Sequence, residues 1–365
     1  MKIEILTSSQ SYNVLVEAGV LGSIGKTVSQ TIAESRCAIV SDKNVASRYG
    51  QPVIDSLATT GFESVLITVL PGEQSKTLNQ AEQVADQMLE AGLDRHSFVI
   101  GLGGGVIGDL SGFVAAIFQR GIPHVQIPTT LLAMVDSSIG GKTGVNTRIG
   151  KNMLGAVHHP CVVIDDIDVL KTLPDRELSQ GFAEIIKHAI IADSEMFNDL
   201  AKIADSKLDW FNQSNFSGNL VELIRRNIEI KARFVAKDEL DRTGDRALLN
   251  FGHSVAHGIE RAAGYREILH GEAVSLGIVA AAAISRKKAG LAADQEKAII
   301  DLLEKFELPT ALPKDLSREK ILESLKFDKK FERGKIRFVI TPKIGSARLS
   351  RDITMEDIRE AVDEL

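Results

Sequence analysis

Short β-branched runs recur through the first half of the chain, at Cys37–Val40, Val65–Val69, Phe98–Ile100, Val125–Ile127 and Cys161–Ile164, and most are separated by segments of helix length. Antiparallel neighbours can be joined by a two-residue turn, whereas parallel strands need a crossover of a dozen residues or more. Runs this uniformly apolar also belong to strands covered on both faces. The spacing therefore predicts βαβ units around a mainly parallel, Rossmann-like sheet. From about Leu173 onward the apolar pattern follows a helical period, as in Leu220–Val235 and Ala292–Phe306, which predicts a mostly α-helical second half. One late run, Ile336–Ile340, leads into Thr341-Pro342-Lys343-Ile344-Gly345 and predicts a small hairpin. A length of 365 residues suits two domains. We expect an α/β domain over 1–172 and a helical domain over 173–365, with a ligand in the cleft between them.

Composition narrows the function. Lys and Arg total 43 against 49 Asp and Glu, a net charge of −6, so no nucleic-acid partner is expected. The longest apolar stretch, Ala273–Ile284, is broken by Ser275 and Gly277 and falls short of the roughly 18 residues a membrane span requires, so it reads as a buried helix. The N-terminus lacks a basic segment followed by an apolar one, and a cytoplasmic protein without a membrane partner is expected. Cys37 and Cys161 sit in no CxxC or CxxH setting, which points to reduced, buried thiols rather than a disulfide or thiolate metal site.

Two glycine-rich segments carry possible anion chemistry. Gly101–Asp109 follows an expected strand and opens a helical pattern, and Gly103, Gly105 and Gly108 satisfy GxGxxG. Glycines there would let a pyrophosphate approach the free amides of a helix N-terminus. The acidic residue that normally follows to bind ribose is absent, since none lies between Asp109 and Asp136; Asp42, closing an earlier strand, is the substitute. A turn that merely allows close packing is the plain alternative. The second segment, Asp136–Asn146 with Lys151-Asn152 beyond it, contains Gly-Lys-Thr but lacks the first glycine of a P-loop, because position 136 is aspartate. What remains is a set of lysines and amides suited to a phosphate or carboxylate substrate, or else a solvated loop.

The most specific constellation comes later. Glu184 stands in Gly181–His188, His253 and His257 in Asn250–His257, and His270 before Gly271-Glu272. His253 and His257 share one helix face, so both can bind one metal, or one can bind while the other moves protons. Glu184, His253 and His270 can supply the three nitrogen and oxygen ligands, with one position open, that are usual for catalytic zinc; His257 would then remain for proton transfer.

With these residues assembled, the sequence resembles the 3-dehydroquinate synthase family of sugar-phosphate cyclases. The resemblance rests on Pro71–Lys76, Gly101–Asp109, Phe118–Gly121, Ile127–Ala133, Asp136–Asn152, Glu184–Lys187, Asn250–His257 and Leu269–Glu272 in that order. It implies an NAD-binding α/β domain, a helical domain carrying zinc (or cobalt) and a homodimer. It also implies conversion of 3-deoxy-D-arabino-heptulosonate 7-phosphate to 3-dehydroquinate and phosphate, with NAD regenerated in each turnover. On this resemblance Glu184, His253 and His270 look like metal ligands. Asp42, Glu73, Lys76, Gly103, Gly104, Gly105, Asp109, Thr129, Thr130, Lys142 and Lys151 look like NAD contacts. Asp136, Lys142, Asn152, Lys187, Lys231, Arg246, Asn250, His257 and Lys343 look like substrate-site residues, and Arg120 is similar to an arginine that the family lends to its neighbour's site. Lys142 and Asn152 are expected near the phosphate and Arg246 near the carboxylate. The chain departs from the commoner pattern at Asp238–Arg246, which is one residue longer, with Asp241 where glutamate is usual. A two-domain polyol dehydrogenase consuming NAD is the competing reading, and the lysine set speaks against it. A cyclase for another sugar phosphate and a non-catalytic binding module are the others.

Overall fold

A computed structural model describes residues 1–205, 216–264, 267–325, 331–332 and 335–365. By internal contacts the chain divides into two compact units: residues 1–173 with 217–232, and residues 174–216 with 233–365. Among the described residues no helix is long and apolar enough to cross a membrane.

The first unit is built on a seven-stranded sheet. Its strands are β1 (Lys2–Leu6), β2 (Ser11–Glu17), β3 (Arg36–Asp42), β4 (Glu63–Val69), β5 (Phe98–Gly103), β6 (His124–Pro128) and, after an intervening hairpin, β9 (Val162–Asp166). The order across the sheet is β1-β2-β9-β6-β5-β3-β4, and every pairing is parallel except β1 with β2. Every residue of β5, β6 and β9 is buried, as expected of strands covered on both faces. Each fully buried Val, Leu or Ile contributes about 1.5–3 kcal/mol. β1 and β2, which alternate buried and exposed residues, were not singled out in the sequence. The segment after Asp136 is not an open loop throughout: β7 (Lys142–Val145) and β8 (Leu154–Val157) form an antiparallel hairpin.

Chain order reverses between β3 and β5, since β3 continues to β4 on one side and meets β5 on the other. In open α/β sheets the crevice beyond the strand ends at such a reversal is where ligands bind. Asp42 ends β3, the glycine turn ends β5, and the Ser41 hydroxyl donates to the Leu102 carbonyl at 2.7 Å to tie the two ends together.

The second unit is mainly helical; among its described residues Phe331–Glu332 pairs antiparallel with Lys335–Ile336, and Phe338–Lys343 forms an antiparallel hairpin with Ser346–Ser350. Helix Asp175–Ala192 is buried almost all round from Leu178 to Ile191, the signature of a central helix. It packs against His270–Ala289, which in turn packs against His253–Ala262. Both contacts depend on missing side chains. A Cβ on Gly271 would stand 2.4 Å from the Gln180 Cα, and one on Gly277 would stand 2.1 Å from the Gly252 carbonyl oxygen. Cys37 is buried, whereas Cys161, expected to be buried, is half-buried; both are free thiols.

Candidate functional site

The three close-packed helices of the second unit bring Glu184, His253 and His270 to one point. Their ligand atoms lie within 4.8 Å of one another, as a shared metal ion requires. Glu184 is fully buried in the middle of its helix, where an unpaired carboxylate would be costly. Its Oε2 accepts from the Lys187 ammonium, one turn along, which is itself 1% exposed. Its Oε1 has no hydrogen-bond partner, although the Nε2 atoms of His253 and His270 stand 3.2 and 3.5 Å away.

The outer nitrogens of the two rings explain that orphan. His253 Nδ1 lies 3.2 Å from the Phe251 carbonyl oxygen, and His270 Nδ1 lies 3.3 Å from the Glu260 carboxylate. Both partners are acceptors, so each Nδ1 carries a proton, and a ring in its neutral form turns a lone pair at Nε2 toward Glu184. Two lone pairs and a carboxylate oxygen converging on one spot fit a cation between them, and the donor set of two imidazoles and one carboxylate suits zinc.

The charges agree with this arrangement. Burial by itself would raise the Glu184 pKa, but Lys187 and the two imidazoles hold it well below the usual carboxylate range. Burial pushes His253 down to about 4 despite the pull of Glu184. Desolvation acts the same way on His270, but Glu260 and Glu184 outweigh it and raise the ring to about 10, so without a cation a proton occupies this ring. His257 is exposed, with its ring centroid 5.8 Å from that of His253, and it lies outside the triad. Glu260, two turns along the same helix from His253, was not singled out in the sequence; its spacing placed it on the same helix face.

Elsewhere in this unit, Arg246 is 3% exposed and donates to the Glu239 carbonyl at 2.8 Å. Asn250 ends the short helix that Arg246 begins. Lys343 is exposed at the end of its strand.

The first unit holds a second cluster. Gly103, Gly104 and Gly105 run from β5 into helix Gly105–Ile117, and a Cβ on Gly104 would stand 3.1 Å from the Thr130 methyl group. The amide of Thr129 donates to the Gly103 carbonyl at 3.0 Å, so Thr129 and Thr130 border the turn. In the first turns of the helix Asp109 pairs with Lys76; burial raises the pKa of this acid against the pull of Lys76. The Asn146 side chain joins the same neighbourhood, donating to Glu73 Oε1 at 2.7 Å and accepting from the Asn152 amide at 2.9 Å, with Asn152 in the left-handed region at φ 53°. Asn146 received no role from the sequence. Asp42 caps the helix after β3, its Oδ1 accepting from the amides of Asn44 at 2.9 Å and Val45 at 3.1 Å. Lys231 Nζ pairs with Asp136 Oδ1 at 2.8 Å. Lys142 is exposed on β7 and Lys151 half-buried beyond it. Gln119 and Arg120 take φ of 49° and 71°, each costing about 1–2 kcal/mol, and Arg120 is exposed. Backbone strain at consecutive positions marks a segment held in place by its surroundings.

Residues 66–180 match the N-terminal domain of 3-dehydroquinate synthases, and residues 181–331 match the C-terminal domain. A 3-dehydroquinate synthase of Thermodesulfovibrio yellowstonii is 42% identical over 363 residues, covering 100% of this chain and 99% of the relative. One from Microcystis aeruginosa is 43% identical, covering 99% of this chain and 97% of the relative. Among solved structures, the 2-epi-5-epi-valiolone synthase of Streptomyces hygroscopicus, with NAD+ and Zn2+ bound, superposes with a TM-score of 0.88 at 30% identity over 100% of this chain and 99% of that one.

Proposed function

The chain belongs to the 3-dehydroquinate synthase family, and from that premise we propose that it converts 3-deoxy-D-arabino-heptulosonate 7-phosphate to 3-dehydroquinate and phosphate, with NAD and a divalent cation, zinc or cobalt, as cofactors. The observation that carries the reading is the convergence of Glu184 Oε1 with two imidazole Nε2 atoms in a buried site that lacks any other partner for that oxygen. When bound, the cation polarises substrate oxygens and the nicotinamide takes up and returns a hydride.

The remaining work belongs to the chain itself, divided between a nucleotide-binding domain, 1–172, and a metal- and substrate-binding domain, 173–365. Asp42, Glu73, Lys76, Gly103, Gly104, Gly105, Asp109, Thr129, Thr130, Lys142 and Lys151 bind and orient the dinucleotide. Lys187 keeps Glu184 ionised and fixed in direction. Lys142 and Asn152 hold the phosphate and Arg246 the carboxylate, with Asp136, Lys231, Asn250 and Lys343 at the substrate's hydroxyls and flanks. Fixing both anionic ends of a flexible sugar acid leaves it in one reactive geometry. The His257 imidazole, exposed beside the triad, moves the proton. Arg120 acts in the site of a second copy, which makes the working form a homodimer, and the enzyme works in the cytoplasm.

The test is to incubate the protein with NAD, zinc or cobalt and the seven-carbon keto-acid phosphate, following phosphate and dehydroquinate. Stoichiometric release of both without net NADH is the expected result. Accumulating NADH with no phosphate release would replace the cyclase by a dehydrogenase.

A further inference from the structure

Glu260 is 3% exposed and aims one carboxylate oxygen at His270 Nδ1, on the side of the ring away from Glu184. The two ring contacts differ in kind. His253 is backed by a neutral backbone carbonyl, whereas His270 is backed by a carboxylate. We propose that Glu260 is a positioning residue for the metal centre: it holds the proton of His270 on Nδ1, turns the Nε2 lone pair toward Glu184, and makes His270 the stronger imidazole donor of the two.

The physical case is short. A histidine can present either nitrogen, and the choice follows the hydrogen bond that its other nitrogen makes. With Glu260 absent, nothing among these contacts would favour the Nδ1–H tautomer of His270, and the ring, which is 32% exposed at its side chain, would be free to turn. A carboxylate behind a ligating imidazole also adds electron density to the ring and negative charge to the site, and removing such a partner typically weakens metal binding about 10- to 100-fold. His253 needs no such partner, because the carbonyl of Phe251, two residues before it, already holds its Nδ1.

The inference rests on the reading of Glu184, His253 and His270 as metal ligands, and the experiment separates the two. Zinc affinity of the full-length apoprotein is measured by competition with a chromophoric chelator for wild type, Glu260→Gln, Glu260→Ala and Glu184→Ala, with the visible spectrum of the cobalt form recorded for each. Glu260→Ala should weaken zinc about 10- to 100-fold and alter the cobalt bands. Glu260→Gln keeps an acceptor but loses the charge, so it should weaken zinc by a smaller factor. Wild-type affinity in both Glu260 variants, alongside loss of zinc in Glu184→Ala, would overturn the role of Glu260 and leave the metal site standing. Undiminished zinc binding in Glu184→Ala would instead remove the metal reading and the inference with it. Should Glu260→Ala fail to fold, Glu260→Gln decides alone, and wild-type affinity with an unchanged cobalt spectrum counts against the proposal.

Discussion

At the scale of single residues, the Glu184 cluster illustrates how a buried helix tolerates charge. Glu184 sits fully enclosed, and its two oxygens meet different demands: one pairs with Lys187, and the other faces two imidazole Nε2 atoms. His253 and His257, four apart in sequence, are placed differently: His253 faces Glu184, while His257 is exposed. His270→Ala should therefore lose zinc, measured by elemental analysis after dialysis, whereas His257→Ala should keep stoichiometric zinc and lose turnover by about 10²–10⁴-fold, the usual worth of a general acid or base. Equal loss of metal from both variants would show that the division of roles is wrong. Asp238 provides a different residue-scale expectation. It is buried, and its carboxylate accepts from the amides of Arg242 at 2.7 Å and Gly244 at 2.8 Å, ordering the turn that leads into Arg246. Burial alone would raise its pKa, but these backbone donors lower it well below the usual aspartate value. A folded pKa below the unfolded one means that the stabilisation is present above about pH 4 and is lost as pH falls from there toward the folded value. Thermal melts of wild type and Asp238→Asn should differ at neutral pH and draw together in acid. A gap that is constant across the range would contradict this account.

At the scale of elements, the triad exists because three helices lie unusually close. Gly271 lets the start of helix His270–Ala289 lie against the Gln180 backbone, and Gly277, two turns further, lets the same helix lie against Gly252, which precedes His253. One helix thus sets the distance from His270 to both Glu184 and His253. Gly277→Ala would place a Cβ 2.1 Å from the Gly252 carbonyl oxygen, a contact so short that the helices must shift apart. We expect a loss of about 1–3 kcal/mol in stability, as for other overpacked contacts, together with weaker zinc binding, read by denaturant titration and chelator competition. Normal zinc affinity in a destabilised Gly277→Ala protein would show that the triad adapts to helix spacing. On the sheet, the same logic places the glycine turn: the reversal of chain order between β3 and β5 opens the strand ends where Asp42 and Gly103–Gly105 stand.

At the scale of the whole molecule, the two compact units hold different groups, a glycine turn opening a helix in one and a carboxylate–imidazole triad in the other, and the proposed reaction draws on both. The proposed homodimer adds a further requirement, because Arg120, held in a strained and exposed conformation, is assigned to the partner's site. Mixing Arg120→Ala with His257→Ala subunits after mild dissociation should then restore activity. Random reassortment of a two-fold dimer makes about half the molecules mixed with one intact site each, so recovery should approach about a quarter of wild-type activity. No recovery, in a mixture shown by mass spectrometry to contain mixed dimers, would place Arg120 in its own subunit's site or in none.

Much of this was legible in the sequence, for physical reasons. The parallel sheet could be read because strands buried on both faces must be apolar throughout and their crossovers must be long. The glycine turn and the residues of the triad stood out because few side chains bind phosphates or metals, and those present were gathered in short segments. The edge strand β1, its neighbour β2 and the hairpin of β7 and β8 were not read, since short strands with polar or glycine positions look locally like loops. Nor could the sequence supply the Asn146 link between Glu73 and Asn152, or Glu260 behind His270, or the inclusion of residues 217–232 in the first unit. These depend on which surfaces meet, and contact between distant segments is decided by packing over the whole chain. The amino acids determined what kinds of bond this protein can make, and the tertiary structure alone decided which nitrogen of each histidine faces the carboxylate and which glycines let the helices bring those three side chains together.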